Sequence, residues 1–147
     1  MPRINFRRSL RRSVRDDRGA ALVEFAIVLP MLLLVVWGIV DFGRLFFTSN
    51  SLATSVREGA RYAAVLSSPS AGTAAIKSKV QASFTPFGGP ALTAGLITVL
   101  DNSLVDGTVT VRITNYPAPI ITPMSALFGT TRTMTRQATF RWEQAAP

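Results

Sequence analysis

The 147-residue sequence contains no cysteine and no histidine. The first absence excludes a disulfide framework, and the two together remove the thiolate and imidazole ligands of zinc sites. Nucleophilic triads lose their usual base as well. Acids are scarce: there are 8 against 16 Lys and Arg, for a formal net charge of +8. Beyond position 66 the only acids are Asp101, Asp106 and Glu143. Asp101 and Asp106 flank an expected turn, where Asp serves local hydrogen bonding, and with Asn102 they do not make an EF-hand pattern. Gly88-Gly89 does not join a strand to a helix in a phosphate-binding pattern. These gaps predict no enzyme activity, no cofactor and no metal.

Charge is also missing from one long stretch. Residues 25–40 carry none, and extending back to Ala20 adds only Glu24. At ~1.5 Å per helical residue such a segment is long enough to cross a bilayer. A carboxylate at its edge costs a few kcal/mol if it enters hydrocarbon unpaired, so Glu24 demands a partner or a function. Upstream, Arg3, Arg7, Arg8, Arg11, Arg12, Arg15 and Arg18 face only Asp16 and Asp17. Basic residues abutting a span hold the N-terminus on the cytoplasmic side and send the C-terminus outward. This patterning accounts for the sequence pI near 11.5 without nucleic acid as a partner. A secretory signal peptide has a shorter apolar core and a small-residue cleavage site, which Asp41-Phe42-Gly43-Arg44 does not supply. Arg7-Arg8 lies too far upstream for a twin-Arg signal, and a mitochondrial presequence would not lead straight into a span.

Residues 20–66 read as one helix with two environments. Residues 20–40 are apolar all round, as a span requires. In residues 41–66, Phe42, Leu45, Leu52, Val56, Ala63 and Leu66 recur at helical spacing, with most polar residues off the stripe. Pro30 predicts a kink or local unwinding over residues 26–30. Gly38, Gly43 and Gly59 each lower helix propensity by about 1 kcal/mol relative to Ala, a cost justified by close approach of another helix. Asp41 with Arg44, and Glu58 with Arg61, are spaced to pair on solvated faces or to set register between packed subunits.

Gly19 precedes Ala20, and Glu24 is the fifth residue counted from Ala20, followed at once by Phe25. This resembles the prepilin-peptidase site of type IV pilins. With Leu29-Pro30, residues 38–44 (Gly-Ile-Val-Asp-Phe-Gly-Arg) and residues 57–63 (Arg-Glu-Gly-Ala-Arg-Tyr-Ala), roughly positions 18–64 resemble the TadE-like pilins of tight-adherence pili. The resemblance implies a leader, residues 1–19, cut between Gly19 and Ala20 to leave 147 − 19 = 128 residues. It implies assembly roles for Glu24, Phe25 and Pro30, with Glu24 pairing with the new α-amino group of Ala20, commonly on a neighbouring subunit. Asp41, Arg44, Arg57, Glu58, Gly59, Arg61 and Tyr62 are then candidates for helix packing or register. The implied partners are a prepilin peptidase, other pilin subunits and the inner-membrane assembly platform. A chain larger than the very short major subunits of this class fits a minor pilin or pseudopilin. The lack of cysteine departs from pilins that tie their C-terminal region with a disulfide.

Residues 67–147 read as a small exported α+β region. The turn at 67–72 ends the long helix, and Thr73 is placed to cap a short one running to about Phe84, with Ile76, Val80 and Phe84 on one face. After the breaker at 86–90 the period switches to two. Residues 96–100, the alternation of Val109, Val111 and Ile113 with Thr and Arg, and residues 133–142 predict three strands, with Asp106-Gly107 in a hairpin turn. Pro117, Pro119 and Pro123 mark residues 115–129 as a connection, with a helical turn at 125–128. Arg136 interrupts the apolar face of the last strand. Arg112, Arg136, Arg141 and Trp142 are candidates for an exposed contact. The expected fold is α+β, pilin-like in outline: a long N-terminal membrane-spanning helix covered in its outer half by a small antiparallel sheet. The rival reading is an uncleaved, single-pass anchored protein with an extracytoplasmic binding domain.

Overall fold

Alanine, leucine, valine and phenylalanine dominate the helix α1, which runs Asp17–Ala64 without interruption in the computed structural model. The structure describes residues 17–143; most of the expected leader, residues 1–16, lies outside the described residues, as do residues 144–147. The chain divides into two compact units, with the boundary between Leu34 and Val35.

Among the described residues of the first unit the helix has no packing partner. Its apolar stretch is long enough to cross a membrane, and none of it is buried within the chain. Leu22, Phe25, Ile27 and Met31 are each well over half exposed. Of the kink or local unwinding expected around Pro30, the unwinding does not occur: α1 stays helical through it. Proline removes one ladder hydrogen bond, whereas unwinding would strip several more.

The second unit, Val35–Pro147, contains the rest of α1, a second helix α2 (Thr73–Ser83), a three-stranded sheet and a one-turn helix α3 (Ser125–Phe128). Strands β1 (Ile97–Asn102), β2 (Thr108–Pro119) and β3 (Thr131–Arg141) lie in sequence order, both pairs antiparallel. This is the expected α+β architecture of a long apolar helix followed by a small antiparallel sheet. A 3-10 turn, Ala94–Leu96, leads into β1. The alternation of β2 places Val109, Val111 and Ile113 on one face, where all three are fully buried. They meet Leu52, Val56, Ala60 and Ala63 of α1 and Ile76 and Val80 of α2 in one core. Full burial of each aliphatic side chain contributes about 1.5–3 kcal/mol, so this cluster is the main source of the unit's stability.

Three local details differ from the sequence expectations. Gly72, not Thr73, occupies the cap of α2, and the Thr73 hydroxyl donates instead to the Ser70 carbonyl at 2.8 Å. β2 continues to Pro119 through residues expected to form a connection. Its pairing with β1 ends at Ile113, so from there β2 has a ladder partner on the β3 side alone. Pro117 and Pro119 share one orientation, and their missing N–H groups fall on the unpaired side, where proline is tolerated. A bulge between Ile113 and Tyr116, with Asn115 at φ 54°, resets the register. It brings Tyr116 and Ala118 into the core.

The buried stripe of α1 also differs. Phe42, expected on it, is 72% exposed, whereas Asp41, Arg44, Thr48 and Ser55 are buried. The elements covering this part of α1 are loops, and their backbone groups need polar partners more than apolar ones.

Candidate functional site

The residues singled out in α1 separate into three environments. Near its start, Glu24, Phe25 and Pro30 are exposed, and Ala20 is exposed beside a half-buried Gly19. Nothing lies within 4 Å of a side chain built at Gly19. Gly19 and Ala20 fall in the first turn of α1, where N–H groups lack intrahelical acceptors and fraying is easiest. Glu24 makes no ion pair or hydrogen bond among the described residues.

Asp41 and Arg44 form a buried polar node, 6% and 8% exposed, with Arg44 Nη1 4.0 Å from Asp41 Oδ1. This corrects the expectation of a solvated pair. The Asp41 carboxylate accepts from the Thr122 hydroxyl and, at 3.3 Å, from the Ile121 N–H. Arg44 Nη2 donates to the Phe87 carbonyl at 3.0 Å, and the guanidinium carbon lies 5.6 Å from the Phe87 ring centroid. Gly88 wraps this guanidinium with φ +68°, and an added Cβ would fall 2.1 Å from Nη2. Both the sign of φ and the space require glycine there. One buried nitrogen, Arg44 Nη1, has no hydrogen bond among the described residues. Next along the helix, Ser51 Oγ accepts from the Thr85 N–H and donates to its carbonyl. Within this unit the node therefore ties two loops, around residues 85–88 and 121–122, to α1.

Farther along, the block at residues 57–62 splits. Gly59 is buried against α2: an added Cβ would lie 2.2 Å from Val80 Cγ2. The close approach expected of Gly59 is thus made by a helix of the same chain, while nothing lies within 4 Å at Gly38 or Gly43. Tyr62 is half-buried and packs on the core. Arg57 and Arg61 are exposed, Glu58 is half-buried, and no Glu58–Arg61 ion pair is present among the described residues.

Three of the four exposed-contact candidates on the sheet have partners, while the Arg141 side chain is exposed without a hydrogen bond or ion pair among the described residues. Arg136 shares the inner face with Ile113, its cross-strand neighbour, and donates to the Ser49 hydroxyl of α1. This explains why an arginine interrupts that face. Arg112 Nε donates to Gln137 at 2.9 Å. Trp142 is an intramolecular tether rather than an exposed contact: Nε1 donates to the Leu66 carbonyl at 2.7 Å, and its N–H to Gly107. Thr122, Phe87 and Gly88 were missed at the sequence level. The Pro-Phe-Gly-Gly-Pro run read only as a breaker, although a glycine pair beside an aromatic was the available signal.

Asp101 and Asp106 serve the backbone. Asp101 accepts from the N–H groups of Ser70 and Ser103, and Asp106 from that of Thr108. Hydrogen bonding from Ser103, opposed by desolvation and reinforced by Ser70, holds the Asp101 carboxyl below its usual range. Burial raises the Tyr116 phenol, which donates to the Pro90 carbonyl at 2.6 Å.

Compared with known proteins, residues 19–61 match the family model for TadE-like proteins. No curated protein and no solved structure matches the chain. The matched segment contains the Gly-Ala step, Glu24, the apolar run, the Asp41–Arg44 node and Gly59. Over residues 19–61, under a third of its length, the chain is therefore similar to TadE-like proteins.

Proposed function

We propose that the chain is a minor pilin or pseudopilin of a tight-adherence pilus machine, inserted with its N-terminus in the cytoplasm and its α+β unit outside. A prepilin peptidase cuts between Gly19 and Ala20. The freed α1 then packs with other pilin subunits on the inner-membrane assembly platform, into or beneath a fibre. The observation that supports this reading best is Glu24: an exposed acid in the apolar stretch of α1, with no hydrogen bond or ion pair among the described residues. Cleavage creates an α-amino group whose charge matches it, and pairing the two relieves the cost of placing either in hydrocarbon. The helix N-terminus favours the same carboxylate.

The test is the intact mass of membrane-extracted protein made with and without a co-expressed prepilin peptidase. Peptidase-dependent loss of residues 1–19, abolished in a Gly19 variant, supports the proposal. A leader retained beside an active peptidase refutes it and leaves an uncleaved anchored binding domain.

A further inference from the structure

The end of the second unit where α1 enters it, beyond Val35, carries an apolar collar that the core does not use. Phe42 and Phe46 of α1 are 72% and 61% exposed and stack at 6.5 Å. Beside them, Ile121, Leu127 and Phe128 are 60%, 68% and 53% exposed. α3 is a single turn with no buried residue, so it places two large apolar side chains in solvent without gaining core contacts. A groove of about 200 Å³ between α1 and this segment is lined by Gly38, Phe42, Leu45, Met124, Phe128 and Arg132, among others.

We propose that this collar docks on the lipid surface around α1, with Ile121, Leu127 and Phe128 entering the headgroup region and Arg132 facing lipid phosphate. The inference rests on the reading of α1 as a membrane span. Its level along the helix follows from Asp41, the first charged residue after the apolar run. The Asp41 carboxylate holds Ile121 and Thr122 beside the helix at that point. Trp37, of a residue type enriched at membrane–water interfaces, lies one turn before it. The collar is thus continuous with the exposed apolar surface of Val35, Val36, Ile39 and Val40. Its charge suits anionic lipid: residues 107–142 contain no acid, and Arg132 has no ion pair among the described residues. Leu104 and Val105, still more exposed in the β1–β2 turn, provide the contrast. That turn leads through Gly107 and Trp142 to Leu66, just past the far end of α1, ~35 Å along the helix from Asp41.

Because the chain has no cysteine, single reporters can be introduced directly into the full protein. Leu33→Cys, Ile121→Cys, Leu127→Cys and Leu104→Cys variants would each carry a fluorophore in vesicles of phosphatidylcholine and phosphatidylglycerol with brominated acyl chains. The expected result is quenching at positions 33, 121 and 127 and full intensity at 104, independent of protein density. Quenching at 33 but not at 121 or 127 overturns the collar and leaves the span intact. An unquenched reporter at 33 overturns the span and the collar with it. Protection of 121 and 127 from an aqueous quencher at high protein density alone shows that a second copy, not lipid, covers the face, and refutes the proposal.

Discussion

Gly59 shows how one missing methyl group sets the distance between two helices. The 2.2 Å separation between an added Cβ and Val80 Cγ2 cannot be relieved by a flexible side chain, since valine is stiff at χ1. Overpacking of this kind costs about 1–3 kcal/mol and outweighs the propensity gained by alanine. Gly59→Ala is therefore expected to lower unfolding stability by about 1–2 kcal/mol, with part of the loss recovered on adding Val80→Ala. Chemical denaturation of the four proteins in one detergent would show whether the two changes are coupled. At Asp101 the effect depends on pH. Its folded-state pKa lies below the unfolded value, so its stabilisation is present above ~3.9 and is lost as pH falls through the lower folded value. An Asp101→Asn variant, which can serve only one of the two N–H donors well, should melt below wild type at pH 6. The gap should narrow as the pH falls below ~3.9 and through the lower folded value; an unchanged gap would mean that the carboxylate charge contributes nothing.

At the scale of an element, β2 combines features that pull its reading in opposite directions. The alternation around Val111 was legible because strand side chains alternate between faces with a period of two. The continuation through Pro117 and Pro119 was not, since it depends on which edge has a neighbour, and that is a property of the assembled sheet. The bulge at Asn115 resolves the conflict by moving Tyr116 into the core, where its ring meets Phe84 at 5.1 Å. A positive φ is strained for a β-branched residue and free for glycine. Asn115→Val should therefore cost about 1–2 kcal/mol, while Asn115→Gly should be neutral within about 0.5 kcal/mol. Thermal melts would separate the two. Equal losses would mean that the Asn side chain, rather than its backbone conformation, holds the bulge.

For the whole molecule, the two compact units respond differently to substitution. The second unit has its own core, whereas among the described residues the first is a helix whose apolar stretch is not buried. Glu24→Ala should leave the melting temperature of the folded unit unchanged while abolishing incorporation into assembled pili. Fractionation of sheared surface fibres against membranes measures this. Undiminished incorporation would remove Glu24 from the assembly mechanism.

The sequence alone determined the apolar helix of membrane-crossing length, the basic stretch before it, the α+β class and the residues of the segment similar to TadE-like proteins. These follow from composition and local period: absence of charge over a bilayer's length, a period of 3.6, then a period of two. It also located Ile76, Val80, Val109, Val111 and Ile113 as core positions. Only the tertiary structure decided that Asp41 and Arg44 are buried, that Gly59 meets α2, and that Trp142 is a tether. Those outcomes depend on loops distant in sequence, such as Phe87 and Thr122, arriving opposite particular turns of α1. A residue's own neighbours carry no record of a partner some 80 positions away. The burial of a charge is settled by whether such a partner arrives.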